Sequence, residues 1–127
     1  MAVIRSFRDL RAYQRARQEA GRVCELTKSF PKEEKYSLTD QIRRSSRAVK
    51  SMLAEAWGHR RYPASFASKL TDAIGEANET QSWLDDALDC GYISAAQHQE
   101  LDGAWQSIGG MIANMILKAD DFCRGTK

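Results

Sequence analysis

Apolar residues recur every three or four positions along nearly the whole chain, and this spacing limits the possible folds more than any other feature. In the first quarter of the sequence the recurring residues are Phe7, Leu10, Ala16, Ala20, Val23 and Leu26. That period places them on one face of a helix. Two prolines and eight glycines interrupt the 127 residues, too few for an all-β sandwich, which needs a turn about every 8–12 residues. The sequence therefore predicts an all-α protein.

Local start and stop signals divide this pattern into four helices. The predicted helices cover residues 7–29, 38–58, 63–89 and 95–122. Ser6 with Asp9, and Ser94 with Gln97, have the spacing of a capping box for the first and fourth helices, and Ser37 is the expected cap of the second.

The third helix has both of its expected ends marked. Pro63 suits a first helical turn, where a missing N–H costs nothing, and Gly91 is a typical C-terminal stop. Four amphipathic helices with short connections pack most economically as an up-down-up-down antiparallel four-helix bundle, in one domain covering residues 1–127. The pair Gly109-Gly110 inside the fourth helix conflicts with helix propensity, and predicts a close helix approach or a bend.

Composition narrows the class of protein. The chain is 43% hydrophobic and 28% charged, a balance that supports a packed core. No apolar run approaches the roughly 18 residues of a membrane span, and no signal-peptide core follows Met1. Cys24, Cys90 and Cys123 are odd in number and far apart, which favours reduced structural thiols. We therefore expect a soluble, cytoplasmic protein without a membrane partner.

Charge is distributed unevenly along the chain. The net charge is +2, but residues 1–63 carry 15 Lys/Arg against 7 Asp/Glu, whereas residues 64–127 carry 4 against 10. The two halves thus differ in sign, at +8 and −6. This asymmetry indicates either an anionic partner or a surface that pairs with its own opposite in another copy.

A series of short motifs resembles one known family. The first group is Phe30-Pro31, Glu34, Tyr36, Leu38 and Gln41-Ile42-Arg43-Arg44-Ser45. Further along come Ala54-Glu55, Arg61-Tyr62, Phe66, Lys69-Leu70, Glu76, Glu79-Thr80, Trp83-Leu84 and Gly91-Tyr92-Ile93. In this order and spacing they resemble the four-helix bundle proteins also called 23S ribosomal RNA intervening-sequence proteins.

The resemblance implies an up-down-up-down bundle that commonly assembles as a homopentameric ring. A related protein, the accessory protein of diversity-generating retroelements, binds nucleic acid and a reverse transcriptase. The resemblance therefore makes RNA or DNA, and a reverse transcriptase, possible partners.

Motifs for catalysis or metal binding are not found in the sequence. A di-iron site in a bundle needs Glu-x-x-His on two helices. Three residues before His59 and His98, where this motif requires glutamate, the sequence has Ala56 and Ala95. Ser45 and Ser46 have no histidine within local reach, and there is no Gly-rich phosphate loop. We expect no enzyme activity, no cofactor and no metal site.

Two sets of basic residues form helical stripes. Arg43, Arg47 and Lys50 share one face of the second helix, with Arg44 beside them and Arg60 and Arg61 at its end; Arg8, Arg11, Arg15 and Arg22 form a stripe on the first. Interleaved acids are nearly absent, so ion pairs within a helix do not account for these stripes. Arginine binds phosphate bidentately. The first set, with Arg8, Arg11 and Arg15 as a second surface, is the predicted nucleic-acid-binding site.

An acidic line is predicted on the third helix. Asp72, Glu76, Glu79, Trp83 and Asp86 step by three or four and lie opposite its apolar face. A tryptophan on an outward face is typical of an interface. Acidic and basic patches on different helices are complementary to each other, which favours head-to-tail contacts and a closed ring. We predict a homo-oligomer, most readily a pentamer, through this line.

Two functions of different classes fit these patterns. One is a non-catalytic nucleic-acid-binding accessory protein, with RNA favoured by the resemblance. The other is a protein-binding or structural oligomer whose arginines hold subunits together. A mobility-shift assay with structured RNA and duplex DNA at two salt concentrations distinguishes them.

Overall fold

Four long helices make up most of the protein. The computed structural model describes residues 3–124. Its helices are α1 (Arg11–Thr27), α2 (Leu38–Gly58), α3 (Pro63–Asp89), α4 (Ala95–Leu117) and the short α5 (Ala119–Cys123), with 3-10 turns at Phe7–Asp9 and Lys32–Glu34. The described range contains no strand, so the all-α prediction is confirmed. Within it, no helix combines the length and the apolar character needed to cross a membrane.

The core lies between all four long helices. α3 packs extensively against both α2 and α4, while α1 packs mainly against α2 and less against α4. Trp105, Phe66, Ile42 and Leu53 are among the largest fully buried side chains. The predicted bounds of α2 and α3 are confirmed, and Pro63 occupies the first turn of α3.

Polar side chains also bind across the helix contacts. The hydroxyls of Ser45 on α2 and Thr80 on α3 lie 2.8 Å apart, and both residues are buried. The Thr80 hydroxyl also donates to the Glu76 carbonyl at 3.0 Å and the Ser45 hydroxyl to the Ile42 carbonyl at 3.3 Å, so either hydroxyl can be the donor between the two helices. A buried hydroxyl needs such a partner, because an unpaired one costs about 1–3 kcal/mol.

The first helix starts later than predicted. Ser6 and Asp9 do form a capping box, but it caps the 3-10 turn Phe7–Asp9. Leu10 then has extended backbone and is 2% exposed, so burying its side chain interrupts the helix before α1 begins. The predicted start at residue 7 is therefore wrong. α1 ends at Thr27, two residues before the predicted end, and Phe30 turns into the core.

The fourth helix is shorter than predicted. Ser94 and Gln97 form the expected capping box, but α4 ends at Leu117 and a turn at Lys118 separates it from α5. This turn brings Phe122 to Phe66 of α3, with ring centroids 5.8 Å apart. A continuous helix to residue 122 is therefore wrong.

Backbone conformation explains the glycine after α3, but not the glycine pair inside α4. Gly91 has a φ of +76°, a conformation that favours glycine, and follows α3 as predicted. A Cβ on Gly109 or Gly110 would meet no atom within 4 Å. The predicted close helix approach is therefore wrong, and nothing in the structure explains this pair.

Glu34, and not Ser37, caps the start of α2. Ser37 makes no capping bond to the helix; its hydroxyl donates to Glu34 Oε1 at 2.6 Å, and the Leu38 N–H donates to the same oxygen. Tyr92, in the α3–α4 connection, donates its hydroxyl to Glu34 Oε2 at 2.8 Å and packs against Phe30. The bonds from Ser37 and Tyr92 lower the pKa of Glu34, and the bond to Glu34 raises the pKa of Tyr92 to about 12.

Removing the Tyr92 hydroxyl is expected to change how stability depends on acid. The pKa of Glu34 is lower in the folded state than in the unfolded state. Its contribution to the free energy of unfolding is therefore present above the unfolded pKa and is lost as pH falls through the folded pKa. In Tyr92→Phe this contribution shrinks, so the melting temperature is lower at neutral pH and falls less between neutral and acidic pH. Thermal melts followed by circular dichroism across that range measure this. Equal acid dependence in both proteins would contradict it.

Candidate nucleic-acid interface

Basic side chains of α2 lie along the contact between α1 and α2. Arg43 Nε donates to Thr27 Oγ1 at 2.8 Å, and Arg47 approaches the sulfur of Cys24 at 3.8 Å. Lys50 follows Arg47 by three residues and so shares its side of α2. The sequence predicted six binding residues on α2 and directly after it. Three of them, Arg43, Arg47 and Lys50, are thus brought together beside α1.

α1 and the 3-10 turn before it contribute further arginines to the same side of the molecule. Arg17 precedes Cys24 by seven residues, two helical turns, and therefore lies on the face of α1 that Arg47 contacts. Arg17 and Arg8 line a shallow groove with Tyr13 and Gln14. We call the set Arg8, Arg17, Arg43, Arg47 and Lys50 the basic face. The sequence pattern did not predict Arg17, because the basic stripe on the first helix runs through Arg8, Arg11, Arg15 and Arg22.

The basic face is free of acidic partners within the described part of the chain. None of its five residues has a carboxylate oxygen within 4.0 Å among residues 3–124. Arg8, Arg17 and Arg47 are exposed, and Arg43 and Lys50 are half-buried. Guanidinium groups in this state retain donors for phosphate oxygens.

Arg44 lies on a different side of α2. It pairs with Asp40 at 3.8 Å and is close enough to Glu76 of α3 to oppose the rise of that residue's pKa. Arg44 therefore faces α3, away from the contact of Arg43 with α1. The predicted grouping of Arg44 with Arg43 and Arg47 is wrong in its geometry, because one residue along a helix turns the side chain by about 100°.

Arg60 and Arg61 differ from each other in their surroundings. Arg60 Nε donates to the Trp57 carbonyl at 2.7 Å, and its guanidinium stacks on the Trp57 ring, 3.5 Å from the centroid. Arg60 thereby satisfies a carbonyl at the end of α2, a structural role. Arg61 is exposed beside the exposed ring of Tyr62.

The predicted stripe on α1 is divided by the fold. Arg11 and Arg15 line a groove of about 630 Å³ between α1 and α4, with Leu10 and Met111 among its apolar residues. Arg8, in contrast, lines the groove on the basic face. The two grooves adjoin, since Gln14 and Gln18 line both, but Arg8 borders one of them and Arg11 and Arg15 the other.

Part of this stripe is held by a buried carboxylate. Glu19 is 3% exposed and binds Arg15 at 3.6 Å and Arg22 at 3.0 Å. Arg22 also binds Glu100 of α4 at 2.7 Å. The expectation that ion pairs do not account for the stripe is wrong for these two arginines.

The acidic line has three exposed members. Asp72, Glu79 and Asp86 are exposed on α3, whereas Glu76 is half-buried. Burial, and then the neighbouring Glu79, raise the pKa of Glu76.

Trp83 does not project from this line into solvent. Its ring is half-buried and packs against the core, and its Nε1 is buried without a hydrogen-bond partner in the described residues. The predicted exposed tryptophan is wrong, because a long indole side chain on α3 reaches from the acidic face into the apolar packing beside it.

Comparisons with known proteins match this arrangement of helices. Residues 8–114 match the family described as 23S rRNA-intervening sequence protein. The chain belongs to this family. A similar crystal structure is that of a protein of unknown function from the S23 ribosomal protein family of Bacteroides thetaiotaomicron VPI-5482. It is 27% identical with a TM-score of 0.75, and the match covers 84% of this chain and 95% of that one. No curated protein matches the sequence.

Several family motif residues have structural roles here. Tyr92 contacts both Phe30 and Glu34 and so joins two connections at one end of the helices. Ser45 and Thr80 form the buried hydroxyl pair between α2 and α3. These five residues of the motifs quoted above thus contribute to packing and to a helix end, and Arg43 is the member of the basic face that belongs to those motifs.

Proposed function

We propose that this protein is a non-catalytic nucleic-acid-binding accessory protein, with RNA favoured, that acts as a homo-oligomeric ring. The observation that supports RNA binding is the basic face, five cationic side chains without an ion-pair partner in the described residues. RNA is favoured over DNA by the name of the family to which the chain belongs. A reverse transcriptase partner and a cytoplasmic location stay predictions from the sequence.

The helix contacts support one further part of this proposal, the antiparallel order of the four helices. Arg43 bonds to Thr27, whereas Arg47, further along α2, approaches Cys24, earlier on α1. Gln81 of α3 bonds to Asp102 near the start of α4. Such pairings are typical of an up-down-up-down antiparallel four-helix bundle.

The chemistry of the basic face favours contacts with the phosphate backbone. Its arginines and lysine supply charged donors. Of its aromatic neighbours, Tyr13 is 8% exposed, and the half-buried Phe7 ring is covered by the Arg8 guanidinium, 4.5 Å from its centroid, so neither offers a free face to a base. Binding is therefore expected to have weak sequence preference and steep salt dependence. A ring repeats the face in every subunit, and this multivalency raises the apparent affinity.

A mobility-shift assay tests the proposal. We expect the full chain to shift a structured RNA and a duplex DNA at low salt, more strongly for RNA, with both shifts lost at high salt. A shift for DNA alone would overturn the preference for RNA. No shift with either at low salt would overturn nucleic-acid binding and leave the protein-binding or structural oligomer as the function.

The ring is proposed to form when the acidic line of one subunit meets a basic surface of the next. Arg11 at the α1–α4 groove and Arg61 are exposed basic residues outside the basic face, so an interface there leaves that face open. Each exposed ion pair contributes roughly 0–1 kcal/mol, so several together are needed.

Reversing the three exposed charges of the acidic line is expected to dissociate the oligomer. In Asp72→Lys/Glu79→Lys/Asp86→Lys, attraction to a basic surface becomes repulsion, while Trp83 and the core stay unchanged. Light scattering coupled to size-exclusion chromatography measures the mass. The control Glu33→Lys/Asp89→Lys/Asp120→Lys makes the same charge change at other exposed acids and is expected to remain oligomeric. A monomeric wild type, or equal masses for the two variants, would refute this interface.

A further inference from the structure

Two helices bring three potential metal ligands together at a place where the sequence shows no motif. His98 and Asp102 lie four residues apart on α4 and so share one face. Asp85 lies near the end of α3, across the contact between these helices. One donor atom from each of the three residues lies within 4.8 Å of the other two. The sequence search for Glu-x-x-His could not find them, because the third ligand comes from another helix.

We propose that Asp85, His98 and Asp102 form a site for a divalent transition-metal cation of the Zn²⁺ type. One imidazole nitrogen and two carboxylate oxygens suit such a borderline cation better than Mg²⁺ or Ca²⁺, which take oxygen ligands. Three protein ligands leave a fourth tetrahedral position for water.

The distances fit this site with side-chain movement alone. His98 Nε2 and Asp85 Oδ1 are 2.8 Å apart, and two ligand atoms on a tetrahedral Zn²⁺ are about 3.3 Å apart, given metal–ligand distances of about 2.0–2.1 Å. A cation between them replaces the hydrogen bond. The neutral ring then carries its proton on Nδ1, and Nε2 donates its lone pair to the metal.

A neighbouring amide orients one of the carboxylates. Gln81 Nε2 donates to Asp102 Oδ1 at 3.2 Å and to Gln106 Oε1 at 3.1 Å. Gln81 precedes Asp85 by four residues, so both α3 residues face the α4 pair. Outer partners of this kind hold ligands in place and typically contribute about 10–100-fold in metal affinity. The His98 side chain is 19% exposed, which leaves the site an opening to solvent.

Calorimetric titration of the chelator-treated full chain with ZnCl₂ tests the site. We expect one Zn²⁺ per subunit, at least about tenfold weaker binding in His98→Gln, Asp85→Asn and Asp102→Asn, and about tenfold weaker binding in Gln81→Leu. Zn²⁺ is also expected to raise the melting temperature of the wild type but not of His98→Gln, because ligand binding to the folded state stabilises it.

Two controls separate this site from other donors. His59→Gln removes the other histidine of the chain, and Cys90→Ser removes its exposed thiol; both are expected to bind Zn²⁺ as the wild type does. The proposal is overturned if the wild type binds no Zn²⁺, if His98→Gln binds as tightly as the wild type, or if Cys90→Ser abolishes binding.

Discussion

Replacing Arg43, Arg47 and Lys50 together with glutamine is expected to weaken RNA binding by about 100-fold at 0.1 M salt. Each phosphate contact that is lost removes about 0.7–0.9 from the slope of log affinity against log salt, so the slope falls by about 2–3. Glutamine at position 43 retains a donor for Thr27, which keeps the contact between α1 and α2. Mobility shifts at several salt concentrations measure both quantities.

A matched variant separates a local effect from a change in net charge. The variant Lys69→Gln/Lys118→Gln/Arg124→Gln removes the same number of positive charges, three, from other places: α3, the turn after α4 and the residue after α5. It is expected to lower the affinity for RNA less than the basic-face variant does. The slope of log affinity against log salt is expected to stay close to that of the wild type. Equal losses in the two variants would show that binding depends on overall charge, and the basic face would not be the binding site.

Replacing Trp105 with alanine is expected to lower the free energy of unfolding by about 3–5 kcal/mol. Its ring is fully buried between the helices, and the surrounding side chains can fill the cavity only in part. The indole Nε1 has no hydrogen-bond partner in the described residues. Trp105→Phe therefore keeps much of the apolar contact and removes an unpaired donor, so its cost is expected to be about 1 kcal/mol or less.

Urea unfolding followed by circular dichroism measures both variants. Protein concentration must be the same throughout, because an oligomer is stabilised by its own concentration. If Trp105→Phe costs as much as Trp105→Ala, the indole N–H has a hydrogen-bond partner in solution and the explanation fails.

The sequence predicted those parts of the fold that depend on local signals. The start of α3 at Pro63 and its stop before Gly91 need only the backbone properties of proline and glycine, and both were correct. The start of α1 and the end of α4 were wrong because tertiary packing decides them: Leu10 leaves the helix to be buried, and Phe122 turns back to contact Phe66. The capping box at Ser6 is formed as predicted, but it caps only the 3-10 turn Phe7–Asp9. Such a box marks where a helical turn starts and does not reveal how far the helix extends.

The candidate site could be predicted only in part for a related reason. A helical period tells which residues share a face, and it correctly joined Arg43 with Arg47. It does not tell which face adjoins which neighbouring helix, so it could not show that Arg44 borders α3 or that Arg17 shares a surface with Arg47. The cluster of Asp85 and His98 was invisible for the same reason, since its members belong to two helices.

The hydroxyl pair between α2 and α3 favours one alignment of these two helices along their axes. If α2 moved along α3 by one turn, Thr80 would face Ile42 or Val49, and neither side chain can bond to a hydroxyl. Each hydroxyl also donates to a carbonyl of its own helix, Ser45 to Ile42 and Thr80 to Glu76, so the shift would remove only the hydrogen bond between them, which contributes about 0.5–1.5 kcal/mol. The apolar contacts would change less, because leucines, isoleucines and alanines tolerate many offsets. Two small polar residues thus favour one register among packings that hydrophobic burial alone would allow, and this register also sets where the basic face lies along the molecule relative to the acidic line.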